Sequence, residues 1–369
     1  MSLRSLPSTA LAALACAIFA TPATAAGWPP RWSPAGDWTL APAASIQYDV
    51  LHADPDGDSL SADGFRRQRL ALNLEGPRGL SAKVEYDAVP GAWTDVFVRL
   101  RLGGNARLRI GQGKTPMGLE ALASHRHLSH LERAPLIGLV PGRALGAEVQ
   151  WTRDEGTLAL AVLDGSLNPE RRGAGVFARG TWQWREGGDE GDRLHLGLSA
   201  GSERPDGPVR LRGRPDVSGL PLLLADSGNL ADLDRIDRIG LEAAWDRGPF
   251  NLQAEHLWLR GRRPGDARQA DASYLTASWR PTGESRRYRN GIFESAPPAG
   301  RWGAVEISLR ASRLAVDDAA GVRQSGHSYA LAAGWQVVPG LRISAQVGRG
   351  DGQGPDTGLI HGLRLHGWF

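Results

Sequence analysis

The chain has 369 residues and a formal net charge of +3 at pH 7, from 43 basic and 40 acidic side chains. This near balance gives no indication of a nucleic-acid partner. Cys16 is the only cysteine and lies near the N-terminus, so the rest of the chain must be stable without disulfides.

The first 26 residues have the pattern of an export signal. Arg4 supplies a positive start, an apolar run follows, and the small residues of "TPATAA" end the segment. We therefore predict a secretory signal peptide over residues 1–26, cleaved near Ala25 or Ala26. The apolar run is too short to cross a bilayer as a helix, and no later apolar run approaches 18 residues.

Beyond this signal, most of the chain consists of short stretches in which apolar and polar residues alternate. In residues 80–87, "LSAKVEYD", the apolar Leu, Ala, Val and Tyr alternate with Ser, Lys, Glu and Asp. Side chains of a strand point alternately to its two faces, so each stretch predicts a strand with one apolar face. The predicted strands lie near 43–52, 65–75, 79–88, 93–102, 106–113, 144–152, 156–164, 174–184, 192–201, 236–246, 250–260, 270–280, 303–314, 327–337, 341–349 and 360–369.

The number of strands and the connections between them favour a membrane barrel. Sixteen strands are predicted, and single-chain bacterial outer-membrane barrels have an even number. The segment 207–214 would make seventeen, so we assign it to a long loop. Short turns such as "GPRG" (76–79) and "DRGP" (246–249) alternate with longer, more polar loops. A soluble β-sandwich, the alternative, would not need so many arginines and glutamates on the polar faces.

The C-terminus and the tryptophans agree with this reading. Phe369 shares a face with Leu363 and Leu365, and a terminal phenylalanine is typical of outer-membrane barrels. We predict an all-β protein in which residues 27–369 form a 16-stranded antiparallel transmembrane β-barrel. The aromatic residues expected in its interfacial girdles are Trp151, Trp182, Trp245 and Trp258.

The stretch 110–120, "IGQGKTPMGLE", resembles the end of a nucleotide-binding P-loop. That motif requires a glycine five residues before Gly113, where this chain has Leu108. It also requires a helix to start at once, and Pro116 followed by Gly118 is a poor helix start. An ATPase is therefore excluded, and Lys114 needs another role. Lys114 and Lys83 are the only lysines of the chain.

Six segments carry a family resemblance. They are "FRRQRLALNLEG" (65–76), "KVEYD" (83–87), "RIGQGKTPMGLEAL" (109–122), "LVPGRALGAEV" (139–149), "GPFNLQAEHL" (248–257) and "WRPTGESRRYRNGIFESAPPAGRWGAVEISLRAS" (279–312). They resemble the phosphate-selective porins O and P, in order along most of the chain. The resemblance implies that loops 114–143 and 202–234 and a periplasmic turn, 281–302, enter the barrel lumen.

The resemblance also implies that anions pass along a series of cations. Arginine's planar, permanently charged fork suits phosphate oxygens, and several forks in series allow an ion to move on. The candidate anion-binding residues are Arg66, Arg67, Lys83, Lys114, Arg210, Arg212, Arg214, Arg286 and Arg287, with Arg289 beside them. Structural salt bridges are the alternative role for Lys83 and Lys114, and a solvated loop is the alternative for 210–214.

Carboxylates on the predicted lumen faces leave the selectivity open. They either pair with arginines or weaken anion preference, because the summed field of a narrow lumen sets selectivity. A general-diffusion or weakly cation-leaning porin is therefore the alternative function. The carboxylates concerned are Glu75, Glu85, Glu148, Glu242, Glu255 and Glu306.

Three short motifs are set aside. "HRHLSH" (125–130) lacks the cysteine or carboxylate pattern of a zinc site, and "DPDGDS" (54–59) lacks the closing glutamate of a calcium loop. Ser129 with His127 or His130 lacks the glycine elbow of a hydrolase. We predict no metal, no cofactor and no catalysis, with an outer-membrane hydrolase as a minor alternative.

The sequence thus predicts a passive, anion-preferring porin that carries phosphate or similar small anions. It would lie in the lipid of the outer membrane of a Gram-negative bacterium, as a homotrimer. Lysines and arginines attract all small anions, so phosphate, pyrophosphate, polyphosphate and chloride remain open as permeants.

Overall fold

Sixteen strands form one closed antiparallel barrel, in which the first strand pairs with the last. The structure, a computed structural model, describes residues 30–33, 36–169, 173–187, 192–295, 297–298, 300–352 and 357–369. The predicted signal peptide lies outside these residues. The prediction of a 16-stranded antiparallel barrel is confirmed.

The wall strands follow the chain order, and every neighbour in the wall is antiparallel. They are β1 (Thr39–Ala53), β2 (Leu60–Glu75), β3 (Ser81–Asp87), β4 (Ala92–Gly103), β5 (Ala106–Lys114), β6 (Arg143–Arg153), β7 (Gly156–Leu163), β8 (Gly175–Glu186), β9 (Asp192–Glu203), β12 (Arg235–Arg247), β13 (Phe250–Arg263), β14 (Asp266–Trp279), β17 (Ala304–Asp317), β18 (Arg323–Val338), β19 (Leu341–Asp351) and β20 (Leu359–Trp368).

In the part of the chain that the structure describes, four short strands lie outside the wall, as two hairpins within long connections. They are β10 (Arg212–Gly213) with β11 (Ala225–Asp226), and β15 (Arg287–Arg289) with β16 (Ile292–Glu294). The segment 207–214 therefore contributes no wall strand. The helices of the described residues are one short α-helix, α1 (Leu119–Leu122), and 3-10 turns at Pro55–Gly57, Pro77–Gly79, His125–His127 and Pro135–Gly138.

Several strands extend beyond their predicted ends. β2 begins at Leu60 rather than near 65, and β18 begins at Arg323 rather than near 327. The residues added to β18 are polar or glycine, so its apolar alternation does not reach them, whereas on β2 Leu60 and Ala62 alternate with Ser61 and Asp63. Backbone pairing continues where the apolar pattern has ended, because the ladder requires no particular side chain.

The two faces of the wall differ in chemistry. On β12, Ile239 and Leu241 point outward and are 52% and 46% exposed, whereas Arg238 and Glu242 point inward and are buried. The outward face is the apolar surface that a lipid bilayer covers in such barrels. Among the described residues, no helix is long and apolar enough to cross a membrane.

The barrel has a turn end, with connections such as 104–105, 154–155 and 248–249, and a loop end opposite to it. Outward aromatic residues at the turn end occur on strands from β6 to β18. They are Trp151, Trp182, Trp184, Trp245, Phe250, Trp279 and Trp335. The fully described strands β19, β20 and β1–β5 carry none there, although Trp32 and Trp38 precede β1.

Three connections are long, and we call them L3 (115–142), L5 (204–234) and T6 (280–303). L3 and L5 leave the loop end, and T6 leaves the turn end. L3 and L5 fill the loop end of the lumen with apolar side chains that pack on the wall. One cluster joins Met117, Leu136, Leu211 and Leu230 to the inward residues Leu257, Leu259 and Leu314. A second joins Leu131, Val217, Leu220 and Leu222 to Leu51 and Ile360.

L3 and L5 also contact each other through backbone. A Cβ at Gly138 would lie 1.9 Å from the Arg212 carbonyl oxygen, so only glycine allows this close approach. The apolar core of the molecule therefore sits inside the barrel at its loop end. A smaller apolar cluster joins Leu119 of L3 to Ala244 of β12 and Phe293 of T6, and the lumen around it is mainly polar.

Candidate functional site

A polar cavity of about 520 Å³ lies inside the barrel, between the wall, L3 and T6. Ten cationic side chains line it, namely Arg69, Lys83, Arg99, Arg109, Lys114, Arg126, Arg133, Arg143, Arg179 and Arg289. Four carboxylates line it, namely Glu85, Asp95, Glu148 and Glu294. The excess of positive charge suits this cavity to anions.

One carboxylate links two of the cations. Asp95 on β4 accepts from Lys83 at 3.3 Å and from Arg143 at 2.6 Å. Lys83 also lies 2.8 Å from Glu85. Lys83 is thus part of a salt-bridge network, with its side chain still 25% exposed.

Two arginines face each other across β4 and β5. Arg99 and Arg109 are paired in the strand register and flank the ring of Phe97, at 4.9 and 6.0 Å from its centre. Arg109 pairs with Glu148 at 3.0 Å. In the part of the chain that the structure describes, Arg99 makes no hydrogen bond or salt bridge. Directly opposed like charges are unfavourable in a sheet, so this pair gains from a passing anion.

Arg66 and Arg67 contact L3 rather than open lumen. Both pair with Glu132 of L3, at 2.8 and 3.0 Å, and Arg67 also donates to Gln47 at 2.5 Å. Arg364 from β20 reaches the same carboxylate at 2.9 Å. Although burial pushes the pKa of Glu132 upward, Arg67, Arg66 and Arg364 hold it well below its usual range.

The three arginines of L5 lie near the loop end and do not line the cavity. Arg210 forms an exposed ion pair with Asp226 at 2.5 Å. Arg212 is exposed on β10. Arg214 is half-buried, and its Nε has no hydrogen-bond partner among the described residues. Burial, with Arg212 nearby, lowers the pKa of Arg214.

Lys114 ends β5 where L3 begins. Its ammonium group donates to the carbonyl oxygens of Ala121, Leu122 and Ala123, at 2.8, 2.9 and 2.7 Å. These carbonyls lie at the C-terminal end of α1. The structure therefore places this lysine between the wall and the first turn of L3.

T6 is fastened inside the turn end of the barrel. Arg286 is buried, donates to the Ser129 hydroxyl of L3, and pairs with Glu306 at 2.7 Å. Arg287 is exposed, and Arg289 pairs with Glu294 at 2.9 Å on the cavity wall. Arg179 donates to the Gly291 carbonyl at 2.9 Å, which holds the tip of T6.

A model of one protein family matches residues 43–357, the phosphate-selective porins O and P. The chain belongs to this family. Porin O of Pseudomonas aeruginosa is 27% identical to it over 343 residues, which cover 79% of this chain and 77% of that protein.

Solved structures show the same fold at low identity. The anion-selective porin from Comamonas acidovorans matches with a TM-score of 0.57 and 13% identity, over 90% of this chain and all of that chain. OmpT of Vibrio cholerae, in its trimer form, matches with a TM-score of 0.58 and 10% identity, over 90% and 100%. The protein is thus an outer-membrane porin of a Gram-negative bacterium.

Most lumen carboxylates of this porin are paired with cations. The pairs are Glu85 with Lys83, Glu148 with Arg109, Glu242 with Arg179, and Glu306 with Arg286. Glu255 instead accepts backbone N–H groups of L3, and Glu75 is exposed at the end of β2. Pairing leaves the unmatched cations to set the field of the cavity.

The histidine-rich stretch of the porin serves to hold L3. His125 bonds to the Ser45 hydroxyl of β1 at 2.8 Å, and His127 accepts from the Ser295 backbone of T6 at 3.1 Å. Burial lowers the pKa of His127 to about 4, so it is neutral at physiological pH. Among the described residues, no three His, Cys, Asp or Glu side chains are placed to hold a metal.

Sequence reasoning missed several lining residues. Arg99 and Arg109 could have been found, because "VRLRL" and "ARLRI" place arginine at alternate positions of predicted strands. Asp95 shares the same alternation on β4, two residues before Phe97, and could have been found too. The loop residues Arg126 and Arg133 carried no such signal, because their positions depend on how L3 folds, which no local pattern encodes.

Proposed function

We propose that this porin is a passive, anion-preferring channel that carries phosphate or similar small oxyanions across the outer membrane. The observation that supports this is the cavity lining, with ten cations and four carboxylates. In a narrow, partly dehydrated lumen, the summed charge sets which ions enter.

Conduction in this proposal depends on several weak contacts in series. Arg99, Arg109 and Lys83 each replace part of the hydration shell of the ion, and none of them holds it alone. An arginine fork can take two phosphate oxygens at once, whereas a lysine acts as a point charge. Weak serial sites let an ion leave as readily as it enters.

The salt bridges argue against the cation-leaning alternative. Each carboxylate on the cavity has a cationic partner, namely Lys83 for Glu85, Arg143 for Asp95, Arg109 for Glu148 and Arg289 for Glu294. A paired carboxylate attracts a mobile cation far less than a free one does. Arg99 and the other unmatched cations remain to attract anions.

Planar-bilayer recording under a KCl gradient tests the proposal. We expect the sign of the reversal potential to show a preference for anions. We also expect the chloride current to fall as inorganic phosphate is added. Arg99→Gln should weaken both effects. Arg247→Gln, which removes an exposed arginine at the turn end that does not line the cavity, should leave them unchanged. A reversal potential of cation preference would refute the proposal.

We also propose that the porin is a homotrimer. Interfacial aromatic residues anchor the outward face of a barrel at the edge of the bilayer. Strands β6 to β18 carry them at the turn end, whereas at that end strands β19, β20 and β1–β5 carry outward aliphatic residues, with Tyr86 and Trp93 lying towards the loop end. A neighbouring copy, rather than the lipid interface, would suit that aliphatic sector.

A further inference from the structure

All hydrogen-bond donors of Lys114 are occupied inside the protein. A lysine ammonium group has three N–H donors and no acceptor. Its nitrogen lies 2.8, 2.9 and 2.7 Å from the carbonyl oxygens of Ala121, Leu122 and Ala123. An anion could bind this group only by displacing one of these carbonyls.

The segment that Lys114 holds is fastened at its other end as well. The carboxylate of Glu255 on β13 accepts the backbone N–H groups of Leu119 and Glu120, at 2.7 and 2.8 Å. Arg133 adds donations to the carbonyls of Glu120 and Ala123, at 2.9 and 2.6 Å. The helix α1 is four residues long, too short to hold its shape without such contacts.

The braced segment forms one side of the candidate anion path. Leu122, Ser124 and His125 line the cavity together with Lys114. The position of α1 relative to the end of β5 therefore sets how wide the path is at this level. Lys114 is the side chain that links the two.

We propose that Lys114 is a positioning residue that sets the width of the anion path by bracing α1, and that it does not bind the permeant. This proposal depends on the proposed function only in assuming that anions pass through the cavity. Its consequence is that loss of the brace changes pore size, whereas loss of a filter cation changes selectivity.

Lys114→Met removes the donors and keeps the side-chain length. The three carbonyls then need water, because buried unpaired carbonyls are unfavourable. Water between β5 and α1 widens the path, so larger polyethylene glycols enter and single-channel conductance rises. Lys83→Met is the matched control, since Lys83 faces the same cavity and braces no loop. It should weaken anion preference and leave the polymer cut-off unchanged.

Lys114→Arg separates charge from bracing. It keeps the positive charge, but the donors of its planar guanidinium diverge and cannot all point at three carbonyls that converge on one atom. We expect its polymer cut-off to rise while anion preference is kept, and it covers the case in which Lys114→Met fails to fold. Heat-modifiable gel mobility shows which variants fold. An unchanged polymer cut-off in the folded variants would overturn the inference. The proposed function is tested by a different measurement, because it would be refuted by a wild-type reversal potential that shows cation preference.

Discussion

At the scale of single residues, the arginines of the lumen fall into two groups that differ in their partners. Arg67 and Arg364 are buried against Glu132, and Arg310 is buried against Glu120 and Asp216. Arg99 faces the cavity without such a partner. Burial of a guanidinium is tolerated only when a carboxylate compensates it, so the first group serves structure and the second is left for ions.

Asp95 should limit anion binding, because it neutralises Lys83 and Arg143 on the path. Asp95→Asn frees Arg143 and leaves Lys83 paired with Glu85 alone, so the path gains one unit of positive charge. One unit charge about 6 Å from a permeant contributes roughly 1 kcal/mol in a wet lumen, or about fivefold in affinity. We therefore expect inorganic phosphate to block the chloride current at about one-fifth of the wild-type concentration.

The measurement is the half-blocking phosphate concentration in planar bilayers. Asp58→Asn, at an exposed position of the β1–β2 loop, serves as the control and should behave as wild type. Weaker phosphate block in Asp95→Asn would show that Asp95 contributes to the site by holding its cations in place.

At the scale of elements, L3 takes its shape from the wall rather than from its own sequence. The Leu128 carbonyl accepts from Arg342 at 2.9 Å, and the Leu131 N–H donates to Gln346 at 3.0 Å. Glu132 reaches β2 and β20. The loop contains only one helical turn and two 3-10 turns of its own. Its anchors are thus side chains from strands distant in sequence.

Glu132→Gln should release L3. The change leaves Arg66, Arg67 and Arg364 without their shared carboxylate, and breaking a buried ion pair costs about 3–5 kcal/mol. We expect trypsin to cut L3 after Arg126 or Arg133, and the folded barrel to unfold on gels at a lower temperature. Glu155→Gln, in an exposed turn, provides the comparison. Equal trypsin resistance in both variants would mean that the apolar clusters alone hold the loop.

The difference between wall and loop also marks what the sequence can predict. Strands were predictable because alternation is local, and β12 shows it residue by residue. The partner of Arg67 was not predictable, because Glu132 lies 65 residues further along the chain. Lys114 was singled out by its motif, yet its bonding depends on the path of residues 115–123. Periodicity assigns a side chain to a face, and tertiary contacts decide what it does there.

At the scale of the whole molecule, the outward surface has two sectors. One carries the aromatic residues of the turn end, and the other, from β19 through β1 to β5, carries aliphatic residues at the turn end and has outward aromatics such as Tyr86 and Trp93 only towards the loop end. Leu160 on β7 represents the first sector and Leu72 on β2 the second. Their side chains are nearly equally exposed, at 45% and 44%. The two residues would meet different surroundings only if one sector is covered by protein.

This matched pair tests the trimer. An outward arginine is unfavourable at either position, and on a lipid face it costs about 2–4 kcal/mol near the bilayer centre. Leu72→Arg should in addition split the assembly into monomers on native gels in mild detergent. Leu160→Arg should leave the assembly intact. The same oligomer from both variants would place the interface elsewhere or remove it.

The contacts of L3 across the closure of the barrel bear on biogenesis. Arg126 donates to the Ala44 carbonyl of β1 at 3.2 Å and to the Phe369 carbonyl at 3.4 Å, and the Ser45 hydroxyl lies between His125 and His366. Part of the docking surface of the loop is thus made by β20, the wall strand that closes the barrel against β1. Pairing of the two ends has the largest sequence separation in the fold and is intrinsically slow. Until it is complete, the nascent barrel has no finished constriction, so wall closure and acquisition of the charge filter are one event.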